Sequence, residues 1–401
     1  MSDPRLSPRI LVPLLVILTA IGPIALNLPL PAVPALARYF DADPGLVQLT
    51  VTLYLAGMAC AQLLHGPLSD RYGRRPVIIG ALILTTVMSL AAAAAAGIGW
   101  LIAARVLQSL GASAGLVVGR AVIRDVFDRD RSASMIGWVT MAMMVAPMVA
   151  PSIGGVLNET VGWRWIFVAT AVITGLALAA TVVGLPETRA GAASPSAGEI
   201  LRDARHLLAD RNFLGYLGIG AVSSVTFFAF VGGAPHVVVS VMGESSTTYG
   251  LWFIANAAGY MIGNAVSGRY SMRFGGDRLI AWGCVLMIGA ALIQFGIALT
   301  GLMTHPAMLF LPQAGIAFAN GLQLPGAVAG AVSINPQAAG SSSGLVGFAQ
   351  MGLGAVAAQL AGSLVGLHVS ATPMVVLILA AAIGAWACML LVDRRSSLPL
   401  R

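Results

Sequence analysis

The sequence predicts an all-α membrane protein of twelve transmembrane helices in two pseudo-symmetric six-helix bundles, with both termini cytoplasmic. Three observations predict it: composition, the recurrence of long apolar stretches, and a repeat at half the chain length. Of 401 residues, 58% are apolar and 9% charged, and the mean hydropathy is +0.89. A soluble domain carries about a quarter charged residues, so a water-soluble fold of this length would lack the polar side chains to cover itself. Alternating apolar and polar positions are absent, which excludes a membrane β-barrel.

Apolar stretches fall at 10–37, 46–66, 77–97, 99–122, 133–157, 163–185, 213–238, 248–270, 279–300, 306–332, 341–367 and 371–392. Each has the length of about 20 residues that a helix needs to cross the hydrocarbon core. The first, behind Arg5 and Arg9, runs too long for a signal peptide and is read as an uncleaved helix. All 22 basic residues are arginines, and all but Arg38, Arg105 and Arg164 fall on the face shared with Arg5 and Arg9. Positive charge stays inside, so that face is cytoplasmic; the absence of Lys and the wealth of Ala, Gly and Arg point to a GC-rich bacterial genome, so the membrane expected is a bacterial inner membrane. The net charge of +7 therefore reports topology and not nucleic-acid binding. Residues 186–211 are polar and split the chain into a bundle over 1–185, a cytoplasmic linker with a short helix from Ala197, and a bundle over 212–401. Cys60, Cys284 and Cys388 lie in apolar runs and read as packing residues.

The repeat pairs Gly66-Pro-Leu-Ser-Asp70-Arg71-Tyr-Gly73-Arg74-Arg75 with Gly268-Arg-Tyr-Ser-Met272-Arg273-Phe-Gly275, 202 positions later. The first copy resembles the G-x-L-x-D-R-x-G-R-R loop of the major facilitator superfamily. Arg105-Val-Leu-Gln108-Ser-Leu-Gly111 resembles its fourth-helix motif, and Pro147, Pro151, Gly154 and Gly155 resemble its fifth-helix antiporter motif. Leu185-Pro-Glu187-Thr188 resembles the usual end of the sixth helix. Arg120-Ala-Val-Ile-Arg124-Asp125, together with Gly233-Ala-Pro235, Phe253-Ile-Ala-Asn256-Ala and Gly340-Ser-Ser-Ser-Gly344, is similar to the Bcr/CflA branch of drug:proton antiporters.

The resemblance implies multidrug efflux by alternating access, with substrate at the midplane between the halves. It implies a conformational latch at Gly66, Asp70, Arg71, Gly73, Arg74, Arg75, Arg124 and Asp125. Asp70 can pair with an arginine or cap a helix, and Met272 in the second copy can do neither. Prolines and glycines in the fifth helix permit a kink and close helix approach, which in antiporters of the family seals the periplasmic route. Arg105, inside the fourth span, costs about 2.5–3.5 kcal/mol to bury; a side chain that snorkels to the interface would avoid that cost, and the resemblance implies instead a residue of the substrate or proton cavity. Gln108 lies on nearly the same face and can hydrogen-bond it. Tyr54, Phe227, Phe228, Asn256, Asn320 and Gln323 are the other polar or aromatic span residues assigned to the cavity.

One position departs from the family pattern. Where its antiporters carry a first-helix acid followed by an aromatic, this chain has Asn27 and Pro29. Asparagine does not titrate, and none of the fifteen Asp and Glu residues falls in the middle of a span. The motif resemblance implies proton-coupled antiport, and the missing acid leaves as its alternative an uncoupled or uptake-type carrier for a neutral or anionic metabolite. His65, His236 and Asp125 are the remaining titratable candidates; the histidines read as ordinary packed or interfacial residues and Asp125 as the partner of a neighbouring arginine at the membrane surface. No nucleophile with a base, metal-ligand cluster, P-loop or filter repeat is present, which speaks against an enzyme, a metal or other cofactor, and a channel. The expected partners are a small-molecule substrate, protons and the bilayer, with the chain a monomer.

Overall fold

The computed structural model describes residues 8–127, 135, 139, 143, 145–188, 197–335 and 338–392, and every element among them is helical. The chain divides into two compact units: residues 1–194 with 243–251, and residues 195–242 with 252–401. Arg5, Arg129, Arg131, Arg189, Arg394, Arg395 and Arg401, used above for orientation, lie outside the described residues.

In the first unit the helices are α1 (Pro8–Asn27), α2 (Val33–Phe40), α3 (Pro44–Tyr72), α4 (Arg74–Ala93), α5 (Ile98–Ala112), α6 (Ala114–Val126), α7 (Val145–Thr160) and α8 (Arg164–Gly184). A single 3-10 turn, Leu30–Ala32, joins α1 to α2, where Pro29, Pro31 and Pro34 each remove a backbone donor. Asp43 starts α3 by accepting the Gly45 N–H at 2.7 Å, with Pro44 at the first helical position. Helix α4 packs between α5 and α8, α3 packs on α5, and α1 lies against α6, α7 and α8.

The second unit holds α9 (Ala197–Ala209), α10 (Arg211–His236), most of α11 (Ser246–Phe274), α12 (Gly276–Leu299), α13 (Pro306–Ile334), α14 (Ala339–His368) and α15 (Thr372–Met389). A π-helical turn, Val237–Val241, extends α10. Helix α10 is the hub, packed on α13, α14 and α15, and α12 joins α13 and α15. The short α9 is more than a tether, because its Leu207 is buried in one cluster with Phe213, Tyr216 and Ile280.

Ten stretches among the described residues are long and apolar enough to cross a membrane. Two of the expected spans are not among them. Helix α7 is only 16 residues as described, although Met135, Val139 and Met143 upstream are also helical. Helix α11 has 29 residues but is more polar than the rest. Its Gly259 and Gly263 sit so close to the α13 carbonyls of Ala314 and Phe318 that a methyl group would not fit, the small-residue contact by which membrane helices pack.

Candidate substrate-binding site

Arg105 is the one fully buried arginine or carboxyl-bearing residue among the described residues, and its partners explain how the fold tolerates it. Its Nη1 donates to the Ala25 carbonyl at 2.8 Å and to Gln108 Oε1 at 2.6 Å, and its Nε donates to the Thr50 carbonyl at 3.2 Å. The Ala25 carbonyl is free because its ordinary helical donor would be residue 29, and Pro29 has no N–H. Gln108 is itself held by donating to Ser89 Oγ at 2.7 Å. The guanidinium carbon lies 4.0 Å from the centre of the Tyr54 ring and 5.9 Å from that of Phe167, and the Tyr54 hydroxyl donates to the Gly22 carbonyl at 3.1 Å. Charge-assisted hydrogen bonds are worth about 1.5–3 kcal/mol each and a desolvated cation–π contact about 2 kcal/mol. Together they offset an insertion cost of about 3 kcal/mol.

Nothing in this cluster neutralises the charge. Nη2 of Arg105 is buried with no hydrogen-bond partner among the described residues. Asn27 does not join it: its Nδ2 donates to the Pro23 carbonyl of its own helix at 2.8 Å, and its Oδ1 is unbonded. Gln48, on the same helix as Thr50 and Tyr54, is fully buried with neither amide atom bonded.

The second unit answers with a neutral network. Asn320 Nδ2 donates to Thr226 Oγ1 at 2.8 Å, and Gln323 Nε2 donates to Ser223 Oγ at 2.9 Å and Asn320 Oδ1 at 3.2 Å. The Cys284 thiol donates to Gln323 Oε1 at 3.0 Å, so a residue read as packing takes part in the polar network. Asn256 is buried apart from this network, its Oδ1 unbonded. Phe227 and Phe228 meet edge to face at 5.2 Å, and Phe227 reaches Phe253 at 6.4 Å. Phe228 is buried and packs into the space left by Gly354. Gln313 is the eighth residue of α13, as Arg105 is the eighth of α5, so the position that is cationic in one unit is an amide in the other.

The loop between α3 and α4 is organised around Arg74. Its guanidinium pairs with Asp70, donates to Ser69 Oγ at 2.7 Å, and pairs with Asp125 of α6 at 3.0 Å. Glu187, beyond α8, accepts the backbone N–H groups of Arg74 at 2.9 Å and Arg75 at 3.2 Å, capping α4 from 113 residues away. Gly73 makes this approach possible: its φ is +100°, and a β-carbon there would meet the Glu187 carboxylate. Arg75 also donates to the Val182 carbonyl at 2.8 Å. Arg71 lies over the Tyr72 ring, and Gly66 has open space around it. Arg124 is exposed beside Asp125.

Helix α7 binds both the end of α1 and the first turns of α11, which belong to this unit. Gly154 touches the Leu28 carbonyl and Gly155 the Ser246 carbonyl, each too closely for a side chain. Pro151 is buried and its carbonyl meets Gly250, while Pro147 is half-buried. Ser152 Oγ donates to the Gly250 carbonyl at 2.8 Å, and Ser246 Oγ to the Pro31 carbonyl at 3.0 Å. Glu159 Oε1 accepts the Thr247 N–H at 2.9 Å, and its Oε2 accepts the Thr247 hydroxyl at 2.6 Å. Partial burial raises the Glu159 pKa, but hydrogen bonds from Thr247, Ser245 and Ser246 outweigh it and hold the carboxyl below its ordinary value.

The family model of the Major Facilitator Superfamily matches residues 15–359. The chain belongs to the major facilitator superfamily. It is 33% identical over 358 residues to the Bacillus subtilis MFS-type transporter YdgK, covering 87% of each chain. It is 29% identical to the bicyclomycin resistance protein homolog of Haemophilus influenzae, covering 87% of each. To multidrug resistance protein D of Escherichia coli it is 30% identical, covering 83% of this chain and 84% of that one. A bacterial homolog of the human lysosomal transporter Spinster superposes over all of both chains with a TM-score of 0.76 at 16% identity, which establishes the fold alone. The protein is thus a multi-pass membrane transporter of this superfamily and not an enzyme.

Within this superfamily transporter, the sequence points to the Arg105–Gln108 hydrogen bond that the structure has, but it groups Tyr54 only with other span residues and does not show that its ring lies against the guanidinium. Ser89 and Gln48 carry no local signal in their apolar helices. Pro29 was noted only as a departure from a pattern, although a proline four residues after a carbonyl is a readable sign of a free acceptor. Along the chain Glu187 reads as part of the sixth helix's ending and Glu159 only as an acid outside the middle of a span, and each caps a distant helix.

Proposed function

We propose that this transporter exports small organic molecules from the bacterial cytoplasm across the inner membrane by alternating access, as a monomer of twelve spans with cytoplasmic ends. Relatives named for multidrug, bicyclomycin and chloramphenicol resistance support export of drug-like solutes. The observation that carries the substrate class is Arg105, buried, unneutralised and with Nη2 unbonded. A positive group of this kind favours neutral acceptors and anions and repels lipophilic cations. Asn320, Gln323 and Asn256 add neutral hydrogen-bonding capacity in the other unit.

Antiport with protons is the coupling mode that family membership supports, with the loop around Asp70, Arg74 and Asp125 as the latch and α7 as the seal. The replacement of the first-helix acid by Asn27 supports a second reading, uncoupled carriage of a neutral or anionic metabolite. Proteoliposomes with and without an imposed pH gradient separate the two. Antiport predicts solute accumulation that rises with the gradient and collapses with a protonophore, and flux indifferent to the gradient removes coupling. Robust efflux of ethidium or tetraphenylphosphonium would sink the proposed charge selectivity.

A further inference from the structure

The second repeat copy keeps its arginines but has lost the acid that would pair with them. Arg269, Arg273 and Arg278 are all exposed, and none forms an ion pair with a described residue. The acid in this loop, Asp277, accepts the Tyr216 hydroxyl at 2.8 Å. Met272, in the place of Asp70, is 96% exposed. Residues next in sequence to these arginines, Tyr270, Phe274 and Leu279, line an open groove of about 510 Å³ whose walls are almost wholly apolar atoms. That is within the range of about 300–1,000 Å³ of small-molecule clefts. Helix α11 contributes Val266, Tyr270 and Phe274, α12 contributes Trp282 and Leu286, and α13 contributes Phe318.

Each helix offers residues one turn apart, so the groove runs along the helix axes, the direction of a lipid tail. Arg278 stands one turn before Trp282 on α12, and Arg269 and Arg273 each precede a lining aromatic of α11. Tyr270 and Trp282 are the amphipathic ring types found at the membrane interface. Arg273 lies over the Phe274 ring at 5.3 Å, so arginines and aromatic rings share the cytoplasmic end and the apolar channel runs inward from them, as a phosphate headgroup region leads into an acyl chain.

We infer that this groove is a binding site for an anionic glycerophospholipid of the cytoplasmic leaflet, its phosphate held by Arg269, Arg273 and Arg278 and one acyl chain lying between α11, α12 and α13. The site stands on the orientation given by arginine placement and is independent of the export reading.

Native mass spectrometry of the purified full-length protein tests it, using phosphatidylglycerol and phosphatidylcholine with identical chains. One arginine near an anionic lipid surface contributes roughly fivefold to binding. The wild type should retain phosphatidylglycerol at least tenfold over phosphatidylcholine, and the triple variant Arg269→Gln, Arg273→Gln, Arg278→Gln should bring that ratio near one. A charge-matched triple variant, Arg202→Gln, Arg205→Gln, Arg211→Gln, should keep the wild-type ratio. Val266→Trp, which fills the groove, should lower retention of both lipids, and millimolar glycerol phosphate should displace neither. Equal retention of the two lipids by the wild type, an unchanged ratio in the first triple variant, or full retention by Val266→Trp would overturn the proposal. Thermal melts of each variant identify any loss that comes from unfolding.

Discussion

Pro29 and Arg105 show how one residue's missing atom becomes another's partner. The Ala25 carbonyl accepts the guanidinium at 2.8 Å because position 29 supplies no N–H. Residue 29 has helical dihedrals, φ −80° and ψ −11°, so Pro29→Ala should restore a donor that competes for this carbonyl. We expect transport of anionic solutes to weaken about five- to tenfold, the worth of one hydrogen bond of about 1–1.5 kcal/mol, with folding intact. Arg105→Gln should weaken anionic-solute binding about 10- to 100-fold, and Arg105→Lys should recover only part, because a point ammonium cannot serve three acceptors in a plane. Equilibrium binding by scintillation proximity reads both. At Gly73, Ala combines a left-handed φ with a collision against Glu187 and should cost about 1–3 kcal/mol. Glu187→Ala removes the α4 cap and should cost about 0.5–2 kcal/mol. Because both act on one contact, the double variant should cost less than the sum in a detergent melt.

At the scale of elements, two carboxylates perform the same task. Glu187 caps α4 and Glu159 caps the start of α11, each binding backbone N–H groups that a helix leaves unpaired. The Glu159 contact joins α7 to the first turns of α11, alongside Gly155, Gly250 and Ser152. Since its folded pKa is depressed, the stabilisation it provides is complete above the ordinary carboxylate pKa and is lost as pH falls through the folded value. Hydrogen exchange at residues 246–250 should therefore be slow at neutral pH and accelerate on acidification, and Glu159→Gln should accelerate it at neutral pH. Slow exchange at every pH in that variant would show that glycine packing alone holds the junction. These contacts give the proline and glycine positions of α7 a physical role: Gly154 and Gly155 are places where backbone meets backbone.

For the whole molecule, the unequal distribution of charge matters most. Arg105 and Gln313 hold equivalent places in their helices, and only one is cationic. Gln313→Arg should add a second buried cation and destabilise the transporter by about 2.5–3.5 kcal/mol. A melting temperature equal to wild type would mean that the second unit holds unrecognised acceptors for a guanidinium.

Much of this was legible along the chain. Hydropathy is a local sum, so the apolar stretches, the half-length repeat and the superfamily motifs could be read without a structure, and Arg105 stood out as a charge in an apolar run. The sequence by itself therefore determined the helical membrane class, the superfamily and the most informative cation. Only the tertiary structure decided what answers that cation, that Cys284 joins the Gln323 network, that Phe228 is packed into Gly354, and that Glu187 and Glu159 cap distant helices. A hydrogen bond depends on a separation of about 3 Å in space, and for these contacts the partners lie 39 to 126 positions apart in sequence. No window on the chain spans that distance.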